Sequence, residues 1–196
     1  MRLLDIFKKK NSVDSNETKS KVVENNVVNN INDNKKFEGK YSFLNNFKHL
    51  SVFTGLSDEE INSYSQEFFE KFKIDLPEDV KEFLKVTNGL FGAGGEYFLS
   101  KFNDEVKNIN PKIMDIETFD IIRRNEYERM LGDIEEFIIL GDDSLSYYVY
   151  DIKSKKYQDL SHGSLDVLNE YDEFAKMVED VLTSNDAFLK GNSYEK

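Results

Sequence analysis

Residues able to do covalent or metal chemistry are scarce in this chain. Cysteine is absent and His49 and His162 are the only histidines, neither of them in a zinc-ligand spacing with other ligands. No serine lies in the G-x-S-x-G turn that would expose a nucleophile. A triad assembled in space from distant residues leaves a hydrolase open as one function class. Gly92-Ala93-Gly94-Gly95 lacks the Lys-Ser/Thr of a phosphate-cradling loop and precedes a strand rather than a helix, so it reads as a turn. Asp142-Asp143-Ser144 has oxygen ligands for a hard cation but not the spaced acidic ladder, central glycine and terminal glutamate of a calcium loop. Turn chemistry favours a hairpin in which Asp accepts backbone hydrogen bonds. No metal or cofactor is therefore expected.

What these residues can do is bind a protein. Two adjacent carboxylates in an exposed turn would project negative potential. On the strand that follows, alternate side chains face opposite ways, so either Tyr147 with Val149 or Tyr148 with Tyr150 enters the core and the other set offers aromatic contact surface. Asp142, Asp143, Tyr148 and Tyr150 are the candidate partner-binding residues.

These positions depend on elements written plainly in the sequence. Ser57 and Glu60 form a capping-box pair ahead of a helix of about four turns whose apolar face would be Ile61, Tyr64, Phe68, Phe69 and Phe72. Leu76–Leu90 reads as a second helix: Pro77 in its first turn, Glu78 and Asp79 at the positive end of its dipole, Val80, Phe83, Leu84 and Thr87 at helical spacing, and Asn88-Gly89 as the stop. Phe83 and Leu84 should be core. Tyr97 to Ser100 is a first strand, Phe102–Pro111 a loop, Ile113–Ile116 a strand, and Glu117–Leu131 a charged helix carrying Phe119, Ile122, Tyr127 and Met130. Strands follow at Phe137–Gly141, Leu145–Asp151, Lys156–Leu160 and Val167–Tyr171. A last amphipathic helix carries Met177, Val178, Val181 and Leu182. This order predicts an α+β domain with an antiparallel sheet and helices mainly on one face.

Residues 1–40 differ from the rest. Asn11–Lys40 is rich in Asn, Lys and Ser without a persistent period, and Met1–Lys10 has too little apolar length for a secretory signal. The sequence thus divides into a flexible arm, 1–40, dispensable for folding, and a domain, 41–196. The arm holds nine Lys/Arg against six Asp/Glu and the remainder 17 against 32, so the net charge of −12 splits into +3 and −15. Such a body should repel nucleic acid and attract basic proteins. No stretch approaches a membrane span, and a cytoplasmic location fits.

The helix LPEDVKEFLKVTNGL, its Gly-rich turn and strand, the hairpin GDDSLSYYVYD…KYQDL, a further strand and a closing helix together resemble the SMI1/KNR4 (SUKH) superfamily, in particular its YrhA-like branch, from about Leu56 to Leu189. That resemblance implies an α+β fold and a non-catalytic bacterial immunity protein that occludes a cognate toxin domain. The alternative it implies is a regulatory scaffold for signalling proteins.

Overall fold

The computed structural model describes residues 36–47, 50–92, 94–103, 119–132 and 134–192, with side chains to 187. The expected loop over 102–111, apart from its first two residues, the expected strand at 113–116, His49 and nearly all of the arm lie outside the described residues.

Seven strands form one antiparallel meander in which each pairs with the next in sequence: β1 (Ser51–Val52), β2 (Leu90–Phe91), β3 (Tyr97–Phe98), β4 (Phe137–Asp142), β5 (Ser146–Asp151), β6 (Lys156–Ser161) and β7 (Val167–Tyr171). Four α-helices, α1 (Asp58–Phe72), α2 (Glu78–Val86), α3 (Ile121–Leu131) and α4 (Phe174–Asn192), and a 3₁₀ helix over Gly39–Asn46 complete the described elements. The fold is α+β, as the sequence predicts. Among the described residues, no helix is long and apolar enough to cross a membrane.

Local signals fix α1. Ser57 Oγ accepts the Glu60 N–H at 3.3 Å while the Glu60 carboxylate accepts the Ser57 N–H at 2.9 Å, closing the capping box. Ile61, Tyr64 and Phe68 are buried, but Phe69 is 46% exposed and lies off the stripe. Pro77 is the N-cap of α2, one position before the first turn expected to hold it, and the helix stops earlier than the Asn-Gly signal: Thr87 is already extended, and only Gly89 takes a positive φ, +89°. Thr87 and Asn88 are instead fully buried connectors. Thr87 Oγ1 accepts the Phe53 N–H and donates to backbone oxygens at Phe53 and Gly89, and the Asn88 amide pairs with both N–H and C=O of Lys101 at 2.8 Å.

Register sorts side chains into rows across the sheet. On one face, Leu90, Phe98, Gly141, Tyr148, Asp159 and Asn169 are successive cross-strand neighbours. Gly141 matters in this row because a Cβ there would lie 2.5 Å from the Tyr97 carbonyl oxygen and 2.9 Å from the Tyr148 ring. Without it Phe98 and Tyr148 stack across the gap at 5.2 Å. α2 and α4 cover this face through Phe83 and Phe174, whose rings meet at 5.2 Å. α3 lies on the other side, where the neighbouring row runs Phe91, Tyr97, Asp142, Tyr147, Leu160 and Val167.

The ordered fold begins before residue 41. Phe37 is 8% exposed within the core, its N–H and C=O are bracketed by the Asn45 side chain at 2.9 and 2.8 Å, and Lys40 pairs with Asp79 at 2.9 Å and with Glu82. The boundary expected at residue 40 therefore cuts through packed structure. Deleting residues 1–40 is expected to cost about 2–3 kcal/mol through the Phe37 seat alone, lowering the melting temperature by roughly 5–10 °C. A melting curve superimposable on that of the full chain would show that Phe37 contributes nothing.

Candidate functional site

α3 begins where the Asp120 carboxylate caps it, accepting the N–H groups of Ile122 and Arg123 at 2.8 and 3.1 Å. Asp120 is 5% exposed and also accepts from the Phe102 N–H and the Tyr64 hydroxyl, so the cap ties α1, α3 and the segment after β3 together. The helix is shorter than the sequence suggests. Phe119 precedes it and stacks on Phe91 at 4.5 Å, while Tyr127 and Met130 are 47% and 77% exposed. The side chains that turn inward are Ile121, Ile122 and Asn125.

Asn125 explains why a helix with so little apolar face docks at all. β3 is only two residues long and leaves the edge of β4 open beyond Leu140. Asn125 fills the place of a strand there, its amide donating to the Ile139 carbonyl at 2.8 Å and accepting the Ile139 N–H at 2.7 Å. One turn later Arg129 donates to the Phe137 carbonyl at 3.2 Å. Buried backbone groups left unmatched cost about 1–3 kcal/mol each, so these contacts hold α3 to the sheet.

Docked this way, α3 brings Arg124 over the end of the β4–β5 hairpin. Its guanidinium donates to Asp142 Oδ2 at 2.7 Å and to Glu128 at 2.8 Å, and lies 5.8 Å from the Tyr147 ring centre. His162, from the β6–β7 turn, packs on Tyr147 with ring centres 4.1 Å apart and places Nε2 3.3 Å from Asp142 Oδ1, close but without hydrogen-bond alignment. Asp142 thus sits among Tyr97, Arg124, Tyr147 and His162 with only 6% of its surface exposed.

This placement corrects the exposure expected of the candidate residues. Asp142 is the last residue of β4, not a turn residue, and is buried beneath α3. Asp143 does lie in the turn, but Oδ1 accepts the N–H groups of Leu145 and Ser146 at 2.7 and 2.8 Å and Oδ2 accepts the Tyr148 hydroxyl at 2.5 Å. The hairpin-turn reading of Asp143 holds. Tyr148 is 2% exposed on the α2/α4 face, and Tyr150 is half-buried against Tyr157 at 5.2 Å. Neither alternating set is wholly free, because both faces of β5 are covered: Val149 is 1% exposed. The sequence reading does not single out Arg124, nor does it show that Tyr97, Tyr147 and His162 meet at Asp142. The one local hint was Arg124 and Glu128 at helical i,i+4 spacing.

Burial pushes the Asp142 carboxyl up to about 6, against the opposing pull of Arg124, His162 and the Tyr97 hydroxyl. Desolvation can exceed the attraction of a buried partner. The folded state then holds this proton more tightly than the unfolded chain, so the associated stability is fully present below the unfolded value of 3.8 and is lost as pH rises through about 6. Compared with Asp142→Asn, which cannot ionise, the natural protein should lose relative stability between pH 4 and 6.5 in urea titrations. A difference independent of pH would show that the carboxyl is not shifted.

Chemically, the cluster is a closed ion-pair and hydrogen-bond network that locks α3 to the hairpin. Among the described residues no group of three or more His, Asp or Glu side chains is placed to hold a metal ion. At the far end of the sheet, a groove of about 610 Å³ between β7 and α4 is lined by Glu170, Asp172, Glu173 and Asp180 with Lys176.

The seven-stranded meander packed on α2 and α4, with α3 closing the opposite side, defines an α+β domain in which the polar groups around Asp142 serve the fold. The chain belongs to the SMI1/KNR4 family (SUKH-1), whose model matches residues 55–189. No curated protein matches the chain.

Proposed function

We propose that this protein is a non-catalytic bacterial immunity protein that acts in the cytoplasm, binding a cognate toxin domain and neutralising it by occlusion. Membership of the SMI1/KNR4 family over residues 55–189 carries the reading. Charge supports it: the net charge is −12, the field that speeds encounter with a basic partner and disfavours nucleic acid. Of the candidate contact residues, Asp142, Asp143 and Tyr148 are engaged by the fold and Tyr150 is partly accessible.

Co-expression with the toxin encoded beside this gene tests the proposal. Restored growth, with a stoichiometric complex on gel filtration, is the expected outcome. Undiminished killing without a complex would overturn it, and detectable turnover by the isolated chain would replace it with an enzyme.

A further inference from the structure

We propose that the outer edge of β7, together with the acidic groove beside it, docks an extended basic segment of the partner, which adds a strand to the sheet. The proposal deepens the immunity reading and rests on it for the partner's identity.

Among the described residues β7 ends the strand order and pairs only with β6. Four of its five residues are exposed, Val167 and Leu168 at 53% each. An edge strand presents a row of unpaired N–H and C=O groups, which natural proteins blunt with charged side chains, proline, bulges or a covering element; β7 has the bulge and Glu170, and Asn169–Tyr171 beyond the bulge keep regular pairing. Val-Leu-Asn-Glu-Tyr contains neither lysine nor proline, and among the described residues nothing pairs with its outer side. Its one irregularity is a bulge. The register shifts between Asp159 and Leu160, leaving Leu168 as the extra residue and Asn169–Tyr171 in regular pairing. The bulge bends the strand and so marks where an added strand would stop.

The neighbouring charges select the occupant. Lys176 is already matched by Asp180 at 2.7 Å and by Glu179, and Lys156 by Asp172. Four carboxylates, those of Asp172, Glu173, Glu179 and Asp180, therefore accompany two committed lysines, while Glu170 projects to the opposite face and accepts from Gln158. Asn169 and Tyr171 project to the α4 side, being register neighbours of Asp159 and Tyr157. A strand laid alongside at about 4.8 Å sends every second side chain to that same side, over the groove. Lysine or arginine at alternate positions would meet the carboxylates while backbone pairing supplies affinity. A second copy of this chain fits poorly, since edge-to-edge pairing would bring two acidic grooves together.

Amide hydrogen exchange on the full chain tests this, alone, with the toxin domain encoded beside the gene, and with a ten-residue peptide of alternating lysine and valine. Protection of residues 167–171 in the toxin complex is expected, with association slowed at least tenfold by Asp172→Lys/Glu173→Lys at low salt and little changed at high salt. Both residues are exposed and outside regular structure, so a circular dichroism spectrum should confirm that the variant is folded. A toxin complex that leaves exchange at 167–171 unaltered overturns the docking edge while keeping the immunity reading. If no toxin complex forms, that reading fails and the peptide decides: charge-dependent protection of 167–171 upholds the edge as a basic-strand site, and none overturns it. Protection in the chain alone, with a dimer in solution, assigns the edge to a second copy and also overturns the proposal.

Discussion

Truncation of Phe83 to alanine is expected to remove about 3–5 kcal/mol, a large part of the stability of an ordinary domain. Phe83 is 1% exposed and its ring meets three others, Tyr41 at 5.7 Å, Phe98 at 6.3 Å and Phe174 at 5.2 Å. Those rings belong to the 3₁₀ helix, β3 and α4, so a single side chain on α2 joins the N-terminal segment, the sheet and the closing helix. Loss of the ring leaves a cavity bounded by aromatic groups that cannot collapse without moving separate elements. Phe83→Leu should fall between the two, retaining apolar contact but not the edge-on geometry with Phe174. Urea unfolding of the three proteins provides the comparison, and an unchanged midpoint for the alanine variant would show that α2 does not anchor the core.

Charge reversal at Asp142 is expected to be as damaging, about 3–5 kcal/mol, because it removes one member of a buried pair and sets a second cation against Arg124. The Arg124 side chain is 14% exposed and that of Glu128 12%, which leaves one carboxylate to serve two positive groups. Asp143→Lys should cost less, on the order of 1–2 kcal/mol, since it loses turn hydrogen bonds at a half-buried position. The ordering separates the roles of two adjacent carboxylates. Thermal melts in which Asp142→Lys is no worse than Asp143→Lys would show that the Arg124 network does not hold α3 in place.

Elements whose causes are local were legible in the residues alone. The Ser57–Glu60 box, Pro77 ahead of its acidic turn, and the apolar spacing of Val80, Phe83 and Leu84 each act within a few residues, and the structure keeps them. β7 matches its expected bounds, and β4, β5 and β6 differ from theirs by one residue at one end. The family resemblance was legible for the same reason, being carried by this order of helix, turn, hairpin and helix.

Which of these side chains meet is set by the packing of the elements on one another. Extending β4 by one residue, from Gly141 to Asp142, moved a carboxylate from a solvent-facing turn into a row shared with Tyr97 and Tyr147, and α3 then closed over it. The two-residue strands β1 and β2 carry no periodicity of their own and exist because a neighbouring backbone is there to pair with, β2 for β1 and β3 for β2. Phe69, Tyr127 and Met130 fit a helical stripe but face outward, since hydrophobic spacing gives a face only when a partner covers it. Phe37 looked like part of a polar arm, yet Asn45 holds its backbone and the core accepts its ring. The deciding contacts join one element to another, and cross-strand register and helix docking set them where composition and spacing could not.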